Sequence, residues 1–104
     1  MSTYQPRGMP ARFMIDAPAS VRKAIIDIIA IVPAAPLDFD VVFRDVDQGQ
    51  MSGLDFDRDG APGCHFFLKP HEMRAYRRRN RRNRTAWRDL PAATQKAIIR
   101  YLEN

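Results

Sequence analysis

Ser20-Val21-Arg22-Lys23-Ala24-Ile25-Ile26-Asp27-Ile28-Ile29-Ala30-Ile31-Val32 holds three charged residues in thirteen, and its reading decides the fold. Val21, Ala24, Ile25, Ile28, Ile29 and Val32 recur at helical spacing, with Arg22, Lys23 and Asp27 opposite. The spacing predicts a helix over 20–32. Ile26, Ala30 and Ile31 widen the apolar surface beyond one stripe. Such a helix is either buried on two sides or meets a second copy of the chain, which would make a homodimer through the 20–32 helix. Asp16 or Ser20 can cap its start, and Pro33 and Pro36 end it, because proline cannot continue the hydrogen-bond ladder.

Upstream, residues 1–10 contain two prolines and a glycine without periodicity, the pattern of an extended arm, and 11–15 suit a short edge strand. Downstream, 37–46 is rich in Phe39, Val41, Val42, Phe43 and Val46, which is strand composition. Residues 47–53, with two glycines, read as a loop. Strand candidates follow at 54–56 and 64–69, separated by the turn residues Arg58-Asp59-Gly60-Ala61-Pro62-Gly63. Pro70 and Glu72 suit the first turn of a helix over about 70–88, and Pro91 opens a last helix to about residue 102. The expected fold is α+β: a single small domain over 11–104. A two- or three-stranded antiparallel sheet is packed by an N-terminal apolar helix and two C-terminal helices.

The charge is concentrated. Between Arg74 and Arg88, eight of fifteen residues are arginine, and none is acidic. The chain carries +5, so the rest of it carries −3. A basic block of this kind is the electrostatic footprint of a surface that meets phosphates. On a helical wheel, Met73, Tyr76, Asn80, Asn83 and Trp87 fall within a strip roughly 80° wide. Arg74, Arg77, Arg78, Arg81, Arg82, Arg84 and Arg88 cover the neighbouring half, and Arg79 lies apart. The candidate nucleic-acid-binding residues are these seven arginines with Asn80, Asn83 and Trp87. Amide side chains can pair two groups on a base edge, and an aromatic ring can stack on a base. Tyr76 is expected to anchor the helix, and Trp87 either anchors or stacks.

Arg78-Arg79-Asn80-Arg81-Arg82, followed by Arg84 and Trp87-Arg88, resembles the arginine-rich RNA-binding helices of lentiviral Rev. It is also similar to the antitermination N peptides of lambdoid phages, where an arginine run precedes a tryptophan. The resemblance covers residues 74–88 alone. It implies that the arginines grip phosphates and groove edges of an RNA stem-loop, with Asn80 at a purine edge and Trp87 on a loop base. The helix, three-strand, helix order from residue 20 onward is similar to that of double-stranded-RNA-binding domains, but their lysine-rich start to the last helix is not present.

Other chemistry finds weaker footing. Asp55-x-Asp57-x-Asp59-Gly60 opens like a calcium loop, yet position nine is Gly63 and position twelve is Phe66, so the closing carboxylate is missing. Cys64, His65 and His71 fall short of a four-ligand zinc site. The expectation is no metal site, no cofactor and no enzyme. One cysteine excludes an internal disulfide and suits a reducing compartment, and no apolar run reaches ~20 residues, so a cytoplasmic protein without a membrane partner is expected. Residues 37–60 hold seven aspartates and two arginines, an acidic surface that could cancel the arginine field from within. The leading expectation is a small regulatory or accessory protein that binds nucleic acid, RNA before DNA. The alternative is an adaptor, assembly component or inhibitor, phage-encoded in one version, whose basic helix docks on an acidic protein surface. Third comes a metal-dependent nuclease built on Asp55, Asp57 and Asp59 with His65 or His71.

Overall fold

The computed structural model describes residues 14–31, 37–45 and 50–103. Helix α1 (Ala19–Ala24) leads directly into strand β1 (Ile25–Ile31), followed by β2 (Asp38–Asp45), β3 (Gln50–Asp57) and β4 (Pro62–Leu68). Helix α2 (Pro70–Arg79), a 3-10 turn (Trp87–Asp89) and helix α3 (Ala92–Glu103) complete the chain. The four strands form one antiparallel sheet in the order β1-β2-β3-β4. The α+β class holds, with four strands in place of two or three. The arm over 1–10 lies outside the described residues, as do most of the expected edge strand over 11–15 and the prolines after β1.

The main correction falls on 20–32. The helix covers one and a half turns and then becomes a strand, so no long apolar helix exists to carry a homodimer. Composition permits the strand, and packing in the sheet selects it. Five of the seven residues of β1 are isoleucine, whose branched Cβ crowds a helix but packs well on a pleated sheet. Both faces of this sheet are covered, so a strand needs apolar residues on both sides and shows no clean alternation. Ile28 and Ile29, neighbours pointing to opposite faces, are both completely buried. Burial of such side chains contributes about 1.5–3 kcal/mol each. A register shift between Ile25 and Asp27 leaves Ile26 as the extra residue of a bulge. Beyond the bulge, Asp27 shares the face of Ile29, and the shift lets Ile25 share the face of Ile28.

One face of the sheet carries Ile25, Ile28, Phe39, Val41, Phe43, Leu54 and Phe56, closed by Val21, Trp87, Leu90 and Ile98. The other carries Ile29 and Val42, with Ile26, Met51, Phe66 and Leu68 around them, and is closed by Met73 and Tyr76 of α2. The β3–β4 hairpin turns at Gly60, a glycine with positive φ (86°). Asp57 holds that turn by accepting hydrogen bonds on Oδ1 from the backbone N–H groups of Asp59 and Ala61, both at 2.9 Å. The Thr94 hydroxyl donates to the Asp57 carbonyl and ties the hairpin tip to α3. No helix among the described residues is long and apolar enough to cross a membrane.

Candidate nucleic-acid interface

Helix α2 starts as its sequence implies. Pro70 opens the first turn, and Glu72 accepts a hydrogen bond from the Lys69 backbone N–H at 2.8 Å. It stops at Arg79, well short of residue 88. Asn80 ends it: its backbone N–H and its side-chain Nδ2 both donate to the Tyr76 carbonyl, at 3.0 and 3.1 Å. The Asn83 N–H then closes a turn onto the Asn80 carbonyl at 2.9 Å. Like charges four residues apart, as in Arg77/Arg81 and Arg78/Arg82, oppose continuation of the helix. The segment instead finds partners on the sheet. The Asn83 carbonyl accepts from Ala30 N–H at 2.7 Å, the Thr85 N–H donates to the Ile28 carbonyl at 2.9 Å, and Arg84 bridges Ile29. The outer edge of β1 is covered in this way.

The eight arginines therefore divide. Arg77 and Arg84 converge on Asp27, with Nε–Oδ2 and Nε–Oδ1 distances of 3.2 and 3.6 Å. Asp27 is wholly buried, and burial raises its pKa above the usual carboxylate range, with Arg84 and Arg77 opposing that rise. Arg88, beyond the 3-10 turn's first residue, pairs with Asp16 at 3.3 Å on the surface. Arg79 lies over the Tyr76 ring, 5.7 Å from its centroid. Arg74, Arg78, Arg81 and Arg82 are exposed, and among the described residues no carboxylate lies within ion-pair distance of them.

The structure does not assemble the remaining candidates on one strip. Trp87 is only 5% exposed and belongs to the core on the far face of the sheet from α2. It anchors, and no base can stack on it. Asn80 and Asn83 spend backbone and side-chain groups on the turn, with the Asn83 amide also reaching Asn80 Oδ1 at 3.5 Å. A single strip requires a continuous helix through residue 88, and α2 ends at Arg79. Tyr76 is an anchor, as expected: it is buried, and its hydroxyl donates to Asp40 Oδ2. Burial, with the nearby Asp40, Asp55 and Asp27 charges, drives the Tyr76 pKa upward.

The acidic hairpin divides as well. Asp57 is committed to the turn, and Asp55 lies on the α2 face. His65 pairs across from Leu54 on the opposite face, stacked at 4.8 Å on Phe67. Cys64 is exposed. No group of three or more His, Cys, Asp or Glu among the described residues is placed to hold a metal ion. Asp27, on the outer face of a helix by its spacing, is instead the buried partner of Arg77 and Arg84. An aspartate inside a run of isoleucines was the available signal.

What the fold and this surface define is a small α+β domain displaying a cationic ledge at the C-terminal end of one helix and in the turn beyond it. Compared with family models, with curated proteins and with solved structures, the chain matches none.

Proposed function

We propose that this protein is a non-enzymatic nucleic-acid-binding domain, RNA before DNA, that grips phosphates through Arg74, Arg78, Arg79, Arg81 and Arg82. One observation carries the reading: these five guanidinium groups have no acidic partner among the described residues, although aspartates are plentiful in the sheet beneath. Exposed ion pairs contribute only about 0–1 kcal/mol each, so clustering arginines outward is a poor route to stability alone. A polyanion gains far more from them through counterion release. The preference for RNA rests on the resemblance of residues 74–88 to arginine-rich RNA-binding helices. With Asn80 and Asn83 engaged in the turn, contact is to the backbone and little affected by base sequence.

The test is a salt series with a labelled RNA stem-loop and a DNA duplex of matched sequence. Five phosphate contacts give a slope of log K against log salt of roughly −3.5 to −4.5. The variant Arg78→Glu/Arg81→Glu/Arg82→Glu should lose binding. Weak binding that is flat with salt, or binding that survives in the variant, would refute the reading.

The adaptor reading keeps one observation in its favour. Phe67 is 54% exposed on β4, a strand without Lys, Arg, Asp or Glu, and such an edge suits a protein partner. Capture of a protein by the wild type that Phe67→Lys abolishes and the arginine variant leaves intact would favour it.

A further inference from the structure

Beside the end of α2, the sheet face opens into a shallow cavity of about 270 Å³ lined by Ile31, Asp40, Asp55, Cys64, Phe66 and Tyr76. Asp40 on β2 and Asp55 on β3 are direct cross-strand partners, so both carboxyl groups stand on the same face, side by side. Like charges directly opposite one another destabilise a sheet unless something sits between them. Asp40 is only 6% exposed. Its Oδ2 accepts the Tyr76 hydroxyl, while its Oδ1 is buried with no hydrogen-bond partner among the described residues. A buried acceptor left unsatisfied is costly and calls for a donor.

Among the described residues, the chain's own cations do not supply one. Arg77 and Arg84 are drawn to Asp27, Arg88 to Asp16, and Arg79 lies against the Tyr76 ring. The cavity walls suit a particular kind of donor. Phe66 and Tyr76 have ring centroids 5.9 Å apart with a 37° tilt, and Ile31 adds an aliphatic surface. Aromatic faces attract cations, and an aliphatic wall accepts an alkyl stem. The volume lies at or below the small end of ligand pockets, which is room for one side-chain-sized group.

We propose that this cavity is a recognition site for a cationic head on an alkyl stem, an alkylammonium or alkylguanidinium, held between Asp40 and Asp55 with its stem against Ile31, Phe66 and Tyr76. The site is independent of the nucleic-acid reading. In the empty site a proton takes the cation's place. Burial first, and the Asp55 carboxyl next, push the Asp40 pKa up to about 7, against the pull of the Tyr76 hydrogen bond. The groups facing the pair are Asp38 and Asp57 from the next cross-strand position, Asp27 on β1, Cys64 on β4, and Tyr76, Arg77 and Arg79 on α2. A bound cation displaces the proton, so affinity rises with pH through neutrality.

The test is an amide-resolved NMR titration of the whole chain at pH 6 and pH 8. The probes are n-butylammonium, n-butylguanidinium, and the Nα-acetyl methylamides of lysine and arginine, with n-butanol as the neutral control. The expected result is saturable shifts at Asp40, Asp55, Phe66 and Tyr76 with the cations, at least fivefold tighter at pH 8, and none with butanol. Asp55→Asn should weaken binding at least tenfold. Phe66→Leu, which keeps both carboxyl groups, should weaken it several-fold and serves if the first variant does not fold. Tighter binding of the capped amino acids assigns the site to a partner's lysine or arginine side chain. Tighter binding of the free amines assigns it to a small amine. Absence of saturable shifts, equal shifts with butanol, pH-independent affinity or undiminished binding in Asp55→Asn would overturn the proposal.

Discussion

Arg77 and Arg78 are sequence neighbours on one helix, yet they meet different surroundings. Arg77 turns inward to Asp27, a carboxylate with no exposed surface, and Arg84 joins it from the strand-like segment beyond the turn. Arg78, with Arg81 and Arg82, faces solvent. The inner pair compensates a buried charge and therefore belongs to the fold. The outer set pairs with no carboxylate among the described residues and lies open to solvent. Residue type is the same in both; burial of the partner sets what each contributes.

The largest effect should come from breaking the inner set. Arg77→Ala/Arg84→Ala leaves Asp27 buried without a cation, and loss of a buried charge's partners costs about 3–5 kcal/mol. Urea denaturation at pH 8 reads this directly. The loss should shrink as pH falls, because burial raises the Asp27 pKa and the missing guanidinium groups no longer oppose that rise, and it should be partly recovered by adding Asp27→Asn. A loss below about 1 kcal/mol would mean that Asp27 does not depend on its arginines.

A smaller effect concerns the carboxyl groups under α2. Asp40 has a folded-state pKa raised to about 7 from 3.8, and that of Asp27 is raised as well. For Asp40, folding takes up a proton between these values, so the stability it contributes is full below about pH 4 and is lost as pH rises through about 7, and the raised pKa of Asp27 acts in the same direction. The denaturation midpoint should fall from pH 5 to pH 8, and Asp40→Asn should flatten part of that fall. A rising profile would place the proton elsewhere.

The smallest change in stability belongs to the outer set. Arg78→Ala, Arg81→Ala and Arg82→Ala should each stay within about 0.5 kcal/mol of wild type, as surface substitutions do. Their effect should appear in the salt dependence of polyanion binding instead. Equal destabilisation by inner and outer substitutions would erase the distinction between the two sets.

The sequence by itself determined the α+β class, the strands around Val41 and Phe66, the hairpin at Gly60, the proline-led start of α2 and the amphipathic α3. Each is written in local chemistry: β-branched and aromatic runs, a glycine that can take positive φ, a proline at a first turn, a 3.6-residue period. The arginine cluster was equally plain, since clustering is a property of composition. Tertiary structure alone decided three things. It made 25–31 a strand, because a sheet covered on both faces rewards apolar residues at every position and so imitates a buried helix. It ended α2 at Arg79, because the edge of β1 offers residues 83–85 backbone partners that a continuing helix would forgo. And it divided the arginines, because only the folded chain brings Asp27, fifty residues away in sequence, beneath Arg77.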